Sequence, residues 1–296
     1  WIAGWALLAE YFIAVAFVAS GLSANFRGLL ATIGVNFPKA LANPIGTDGG
    51  MVDLVAVVVM VLVGLLLSRG VSSAARVENI LVVMKVLAIL LFLVVGLTAI
   101  HPENFHPFFP AYHLNADGTP FGGWQGIYAG VSMIFLAYIG FDSIAANSAE
   151  AIDPEKTMPR GILGSLLIAV FLFVSVGLVL LGMFPYQDYA NNAEPVGWAL
   201  RHSGHAVIAV VVESIAVLGM FTALIGMSMA GSRLLYSFGR DGMLPQKLGK
   251  LNSRKLPNHA LAVLITIGVL IGAFFPFAFL AQLISAGTLI AFMFVT

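Results

Sequence analysis

Apolar residues run along this chain in blocks of about twenty, separated by short polar punctuation. An α-helix rises about 1.5 Å per residue, so a block of about 20 crosses the roughly 30 Å hydrocarbon core of a bilayer. Such blocks fall near 1–25, 51–68, 77–100, 123–147, 161–184, 206–232 and 259–279, with another begun at 280. The pairs Asn43-Pro44, Asp48-Gly49, Asp117-Gly118, Asp153-Pro154 and Asp241-Gly242 stand between them, where turns are expected. The pattern predicts an all-α integral membrane protein, because only helices and closed barrels satisfy every backbone polar group in lipid. Its first partner is therefore the lipid bilayer, which it crosses as a multi-pass protein of the cell membrane.

Basic residues orient the blocks, since loops rich in Lys and Arg stay on the cytoplasmic side. Arg69, Arg76, Lys156, Arg160 and the run from Arg233 to Lys255 all lie after even-numbered blocks. The alternate loops hold only Arg27, Lys39 and Arg201. Five of the six histidines, His101, His106, His113, His202 and His205, fall on the outer side and read as solvated loop residues.

Composition narrows the class further. Hydrophobic residues make up 60% and charged residues 9%, against roughly 25% charged in a soluble domain. Net charge is zero and no basic stripe interleaved with aromatics appears, which argues against nucleic acid as a partner. The absence of cysteine removes thiolate metal sites and cysteine nucleophiles, and no metal or cofactor is expected. The sequence starts and stops inside apolar blocks, which predicts a fragment cut at both ends.

Ionisable groups within the apolar blocks carry the candidate chemistry, because burying one in a membrane costs several kcal/mol by most scales, of order 2.5–3.5 kcal/mol on the mildest. Four stand out: Glu10, Lys85, Asp142 and Glu213. Asp53 and Glu78 lie at block ends and are read as reached by interfacial water. Lys85 sits about eight residues, roughly 12 Å, into its block. It either snorkels to the interface or faces the bundle interior, where desolvation makes its charge switchable and suits it to a proton relay. Glu10 and Glu213 either serve transport or fix packing through hydrogen bonds across helices.

The stretch IFLAYIGFDS, residues 134–143, places Gly140 and Asp142 in mid-block, with Ser143, Asn147 and Ser148 close behind. Either Gly140 is a flexible contact between helices or the helix opens there. An opened helix is tolerated in lipid only where the freed N–H and C=O groups line a cavity and meet a ligand. Freed carbonyls suit an ammonium and freed amides suit a carboxylate, a combination that an amino acid satisfies.

Four stretches together resemble the amino acid–polyamine–organocation superfamily, and within it the cationic amino acid transporter-like permeases. They are GWALLAEYFIAVAFVASGLSANF at 4–26, RVENILVVMKVLAILLF at 76–92, FLAYIGFDSIAANSAEAIDPEKTMPRGI at 135–162 and SRLLYSFGRDGMLP at 232–245. The resemblance covers essentially the whole chain and implies a five-plus-five inverted-repeat transporter fold truncated at both ends. The chain would then hold family helices three to ten in one domain over 1–296, with 1–100 in the first repeat and 121–296 in the second. Glu10 and Glu213 would occupy equivalent helices. Where relatives often carry paired glutamates after helix six, this sequence has Ala149-Glu150.

The same resemblance implies a secondary active amino acid transporter that works by alternating access, with protons as the coupling partner. Its substrate segment would be Ala137, Tyr138, Ile139 and Gly140, with Phe141 near a gate and Asp142 as a gate or polar site. Lys85 matches a lysine that replaces a sodium ion in proton-coupled relatives, and Glu10 matches a glutamate that would partner it. Gly226 and Met227 would limit substrate size. The glycine-rich half of the site is expected in a helix preceding this sequence. Symport and proton-independent exchange both remain open, as do cationic and small neutral substrates. An intramembrane aspartyl enzyme needs a second membrane aspartate, and a channel needs a repeated filter; neither feature appears. Replacing Gly140 by Leu is expected to abolish amino acid binding by filling the opened segment. Unchanged affinity in an equilibrium binding assay would show that the helix is not open there.

Overall fold

The computed structural model describes residues 2–35, 37–47, 49–70, 75–114, 118, 120–138, 153–189 and 192–293. In chain order its helices are α1 (Ile2–Thr32), α2 (Lys39–Ala42), α3 (Leu54–Ser68), α4 (Ala75–Leu97), α5 (Gly123–Ile134), α6 (Pro154–Met183), α7 (Pro195–His202), α8 (Ala206–Arg240), α9 (Asn258–Phe274) and α10 (Phe277–Met293). Among the described residues four are long and apolar enough to cross a membrane: Gly4–Thr32, Asn79–Leu97, Glu155–Met183 and Ala206–Arg240. Leu54–Ser68, Asn258–Phe274 and Phe277–Ile290 are shorter apolar helices. The only strands among the described residues, His113–Leu114 and Pro120–Phe121, form a two-residue antiparallel pairing. The architecture is that of an all-α, multi-pass membrane protein.

The chain divides into two compact units, Trp1–Ala88 with Asn191–Thr296, and Ile89–Ala190. In the first unit α1 is the central helix, with 61% of its apolar window buried. It packs most extensively on α8, and then on α10, α9 and α3. Helices in lipid gain nothing from hiding apolar surface, so they associate through small residues that let backbones approach. Ala14, Ala16 and Ala19 of α1 are all buried. The α1–α8 contact is antiparallel: Gly4 meets Phe238, Tyr11 meets Gly231, and Asn25 reaches the Met220 sulfur at 4.0 Å. Val15, Met60, Leu224 and Leu264 join helices α1, α3, α8 and α9 in one core. Gly268 of α9 accepts Val15 at its surface, and Gly272 accepts Met60.

Asp53 departs from expectation. It is only 1% exposed, so interfacial water does not reach it. Its Oδ1 accepts from Ser23 Oγ at 2.5 Å and from the Ala56 N–H at 3.1 Å, which caps α3 and ties that helix to α1. Its own N–H donates to Ala273 O at 3.0 Å. Two further differences are lengths: α1 continues to Thr32, and the segment read as a loop before α8 contains α7. An eight-residue helix is too short for a criterion based on membrane thickness to find.

In the second unit the last turns of α4 pack on α6, with Gly96 receiving Val179 and Met183. A 3-10 turn at Pro102–Phe105 follows, pinned to Gly182 O by the N–H of the preceding His101 at 2.8 Å and by Nδ2 of its own Asn104 at 2.9 Å. Replacing Asp53 by Ala is expected to cost about 1–2 kcal/mol, because the α3 cap and the Ser23 bond are lost together. Thermal unfolding of the purified protein in detergent checks this; an unchanged midpoint would show that the cap is not holding α3.

Candidate functional site

Lys85 lies on α4, half-buried, with its stem laid across α8. A Cβ built on Gly219 would fall 2.5 Å from Lys85 Cε and 3.3 Å from Cγ, so any larger residue there would displace the lysine. Lys85 Nζ donates to Thr222 Oγ1 at 3.4 Å, and Thr222 Oγ1 donates in turn to Gly219 O at 2.9 Å. Gly219, Thr222 and Gly226 follow one another at spacings of three and four along α8, which puts them on one helix face. Gly226 has open space where a Cβ would stand, whereas Met227 packs against the apolar core. A long cationic side chain thus runs over a strip of small residues, with room one turn beyond it.

Glu10 lies on α1 and is 5% exposed. Since Tyr11 meets Gly231, Glu10 stands at the level of Gly231 and Ser232, ten residues along α8 from Thr222. At 1.5 Å per residue that is roughly 15 Å of helix, so Glu10 of α1 and Lys85 of α4 lie at separate levels along α8. Glu213 is at neither: it lies further toward the start of α8, 1% exposed, beside Arg201 of α7. That arginine and Glu194, which the sequence pattern did not single out, form with Glu213 a buried charged cluster. The recoverable signal was the spacing of Glu194 and Arg201, seven residues or about two helical turns apart.

In the second unit α5 gives way at Ile134 to a 3-10 turn, Phe135–Tyr138. The change to tighter i→i+3 bonding takes in Ala137 and Tyr138, the first two residues of the segment expected to open, and these two are in a 3-10 turn. Ala137 is exposed, and the half-buried Tyr138 packs edge-on against Phe173 of α6 with ring centroids 5.6 Å apart. Ile139, Gly140, Phe141 and Asp142 lie outside the described residues.

The model of the amino acid permease family matches residues 1–296. The chain belongs to that family. It is 64% identical, over its whole length, to the branched-chain amino acid permease BcaP of Lactococcus lactis subsp. cremoris, covering 63% of that protein. It is 36% identical to the methylthioribose transporter of Bacillus subtilis, over 98% of this chain and 60% of the relative. To the vacuolar cationic amino acid transporter 4 of Arabidopsis thaliana it is 31% identical, over 99% of this chain and 48% of the relative. This permease-family chain therefore spans about half to two thirds of the length of these relatives, which are named as permeases and transporters.

Within the family frame, the Lys85–Gly219–Thr222 contact is the structural feature of the described residues most directly open to test. Gly219→Val is expected to destabilise the protein by about 1–3 kcal/mol through overpacking. Lys85→Ala in that background should restore part of the loss, giving a coupling energy of about 1 kcal/mol in a double-mutant cycle of thermal unfolding. Additive effects would show that the lysine stem does not rest on Gly219.

Proposed function

We propose that this chain forms the core of a secondary active amino acid transporter that carries branched-chain amino acids by alternating access. The observation that carries the reading is the match of all 296 residues to the amino acid permease family, with 64% identity to a relative named for branched-chain amino acids. The open space beside Gly226, with Ile225 and Met227 as its chain neighbours, suits an uncharged aliphatic side chain better than a cationic one, for which a carboxylate partner would be wanted.

Substrate binding is assigned to Ala137, Tyr138, Ile139, Gly140 and Phe141, with Gly226 and Met227 bounding the side chain and Asp142 as a gate or polar site. The 3-10 turn at Phe135–Tyr138 supports this reading, because a helix that opens in lipid must first abandon its i→i+4 bonds. The coupling ion is assigned to protons. Lys85 is an ionisable group within an apolar span, where such residues commonly serve transport, and its Nζ reaches the Thr222 hydroxyl on α8. Glu10, roughly 15 Å further along α8, would act as a second station in the same pathway rather than as a direct ion-pair partner.

Uptake of labelled leucine into proteoliposomes tests the assignment. Accumulation driven by an inward proton gradient, competed by isoleucine and valine and not by arginine, is the expected result. Lys85→Ala should abolish gradient-driven accumulation while leaving leucine binding measurable, since the ligating backbone lies elsewhere. Undiminished proton-driven uptake by that variant would remove Lys85 from coupling and leave gradient-independent exchange as the mechanism. Competition by methylthioribose alone would overturn the amino acid substrate.

A further inference from the structure

A second concentration of buried charge lies away from Lys85, at the end of the first unit that the Lys and Arg distribution assigns to the outside. Glu194 immediately precedes α7, Arg201 lies in its last turn, and Glu213 faces them from α8. Arg201 Nη2 donates to Glu194 Oε1 at 2.7 Å, and Nη1 donates to Glu213 Oε1. The side chains of Glu194 and Arg201 are each 19% exposed and that of Glu213 is 1% exposed. Space for the carboxylates is made by two glycines. A Cβ on Gly28 of α1 would collide with Glu194 Oε2, and one on Gly197 of α7 would collide with Glu213 Oε1.

Two carboxylates around one guanidinium leave an excess negative charge. Each buried ion retains a penalty of several kcal/mol unless it is fully paired, and here the Oε2 atoms of both Glu194 and Glu213 are buried with no hydrogen-bond partner. Among the described residues, the neighbouring cationic groups have partners of their own. Arg27, next to Gly28 on α1, is committed to Ser23 O and Asn43 Oδ1. His202 stacks on Trp198 and bonds Trp198 O through Nδ1, and His205 Nδ1 meets Ser203 Oγ. A proton is the smallest species that both neutralises the excess charge and supplies a donor to an orphaned oxygen.

We propose that Glu194 and Glu213 hold one proton between them, and that the Glu194–Arg201–Glu213 cluster is a proton-binding site whose occupancy fastens α7 to α1 and α8. Burial pushes the Glu194 carboxyl up from 4.5 to about 7, with Arg201 opposing the shift and the Glu213 carboxylate adding to it. The folded protein therefore keeps a proton that the unfolded chain releases between about pH 4.5 and 7. The stabilisation is present at low pH and is lost as pH rises through about 7, within the range met outside a cell. This site does not depend on the identity of the transported substrate.

Infrared spectra of the purified protein between about pH 5.5 and 8.5, with thermal unfolding over the same range, test the proposal. A carboxylic-acid C=O stretch should be present at the acid end and lost at the alkaline end. The unfolding midpoint should fall in parallel, and amide exchange in 196–202 should quicken beyond its intrinsic pH dependence. Glu194→Gln and Glu213→Gln each keep a neutral oxygen acceptor for Arg201, and each should delete that band and flatten the pH dependence of unfolding. A wild-type spectrum that does not change with pH would overturn the proposal without recourse to any variant. So would a band and pH dependence that survive both substitutions. Sodium ions reproducing the stabilisation at fixed alkaline pH in the wild type, but not in Glu194→Gln, would make this a metal-cation site and overturn the proton assignment.

Discussion

Two long helices meeting through small residues set the geometry of the first unit. The hydrocarbon of a bilayer is as apolar as a leucine side chain, so α1 and α8 gain nothing by turning apolar faces toward each other. Close backbone approach supplies the packing energy instead, and Gly4 of α1 and Gly231 of α8 permit it where Phe238 and Tyr11 rest on them. The pairings of Gly4 with Phe238, Tyr11 with Gly231 and Asn25 with Met220 then define one antiparallel register. Every ionisable group on either helix inherits its depth from that register. A slip of one turn would move each of them by about 5.4 Å relative to its partners.

Buried charge in this unit repeatedly lies beside a glycine. The Lys85 stem crosses Gly219, the Glu213 carboxylate sits against Gly197, and Glu194 sits against Gly28. A charged group taken out of water needs partners at hydrogen-bonding distance, and a missing Cβ lets the head group approach the neighbouring helix closely enough to find them. The lysine reaches a hydroxyl on α8, whereas the carboxylates meet an arginine. The same device thus accommodates a lysine at mid-helix and a cluster of three charges near one end.

Glu10 and Glu213 occupy similar positions in their own helices. Glu10 lies eight residues after Ile2, the first residue of α1, and Glu213 lies seven after Ala206, the first of α8. Both are buried, at 5% and 1% exposure. Because the two helices are antiparallel, nearly the same position in each puts the carboxylates at opposite ends of the contact.

Much was legible in the chain before any coordinates. Block length identified the helices because membrane thickness is a constraint that acts on each segment separately, and the same reasoning marked Lys85, Glu10 and Glu213, since charge within an apolar block is visible locally. Asp53 was misread because its burial depends on Ser23, thirty residues away on another helix. Helix α7 was missed because it does not cross the membrane and so obeys no length rule. The separation of Glu10 from Lys85, and the meeting of Glu194, Arg201 and Glu213, were decided only in three dimensions. Hydropathy is a property of each stretch of chain, whereas the register between two helices arises from the packing of residues far apart in sequence, and it is register that determines which buried charges meet.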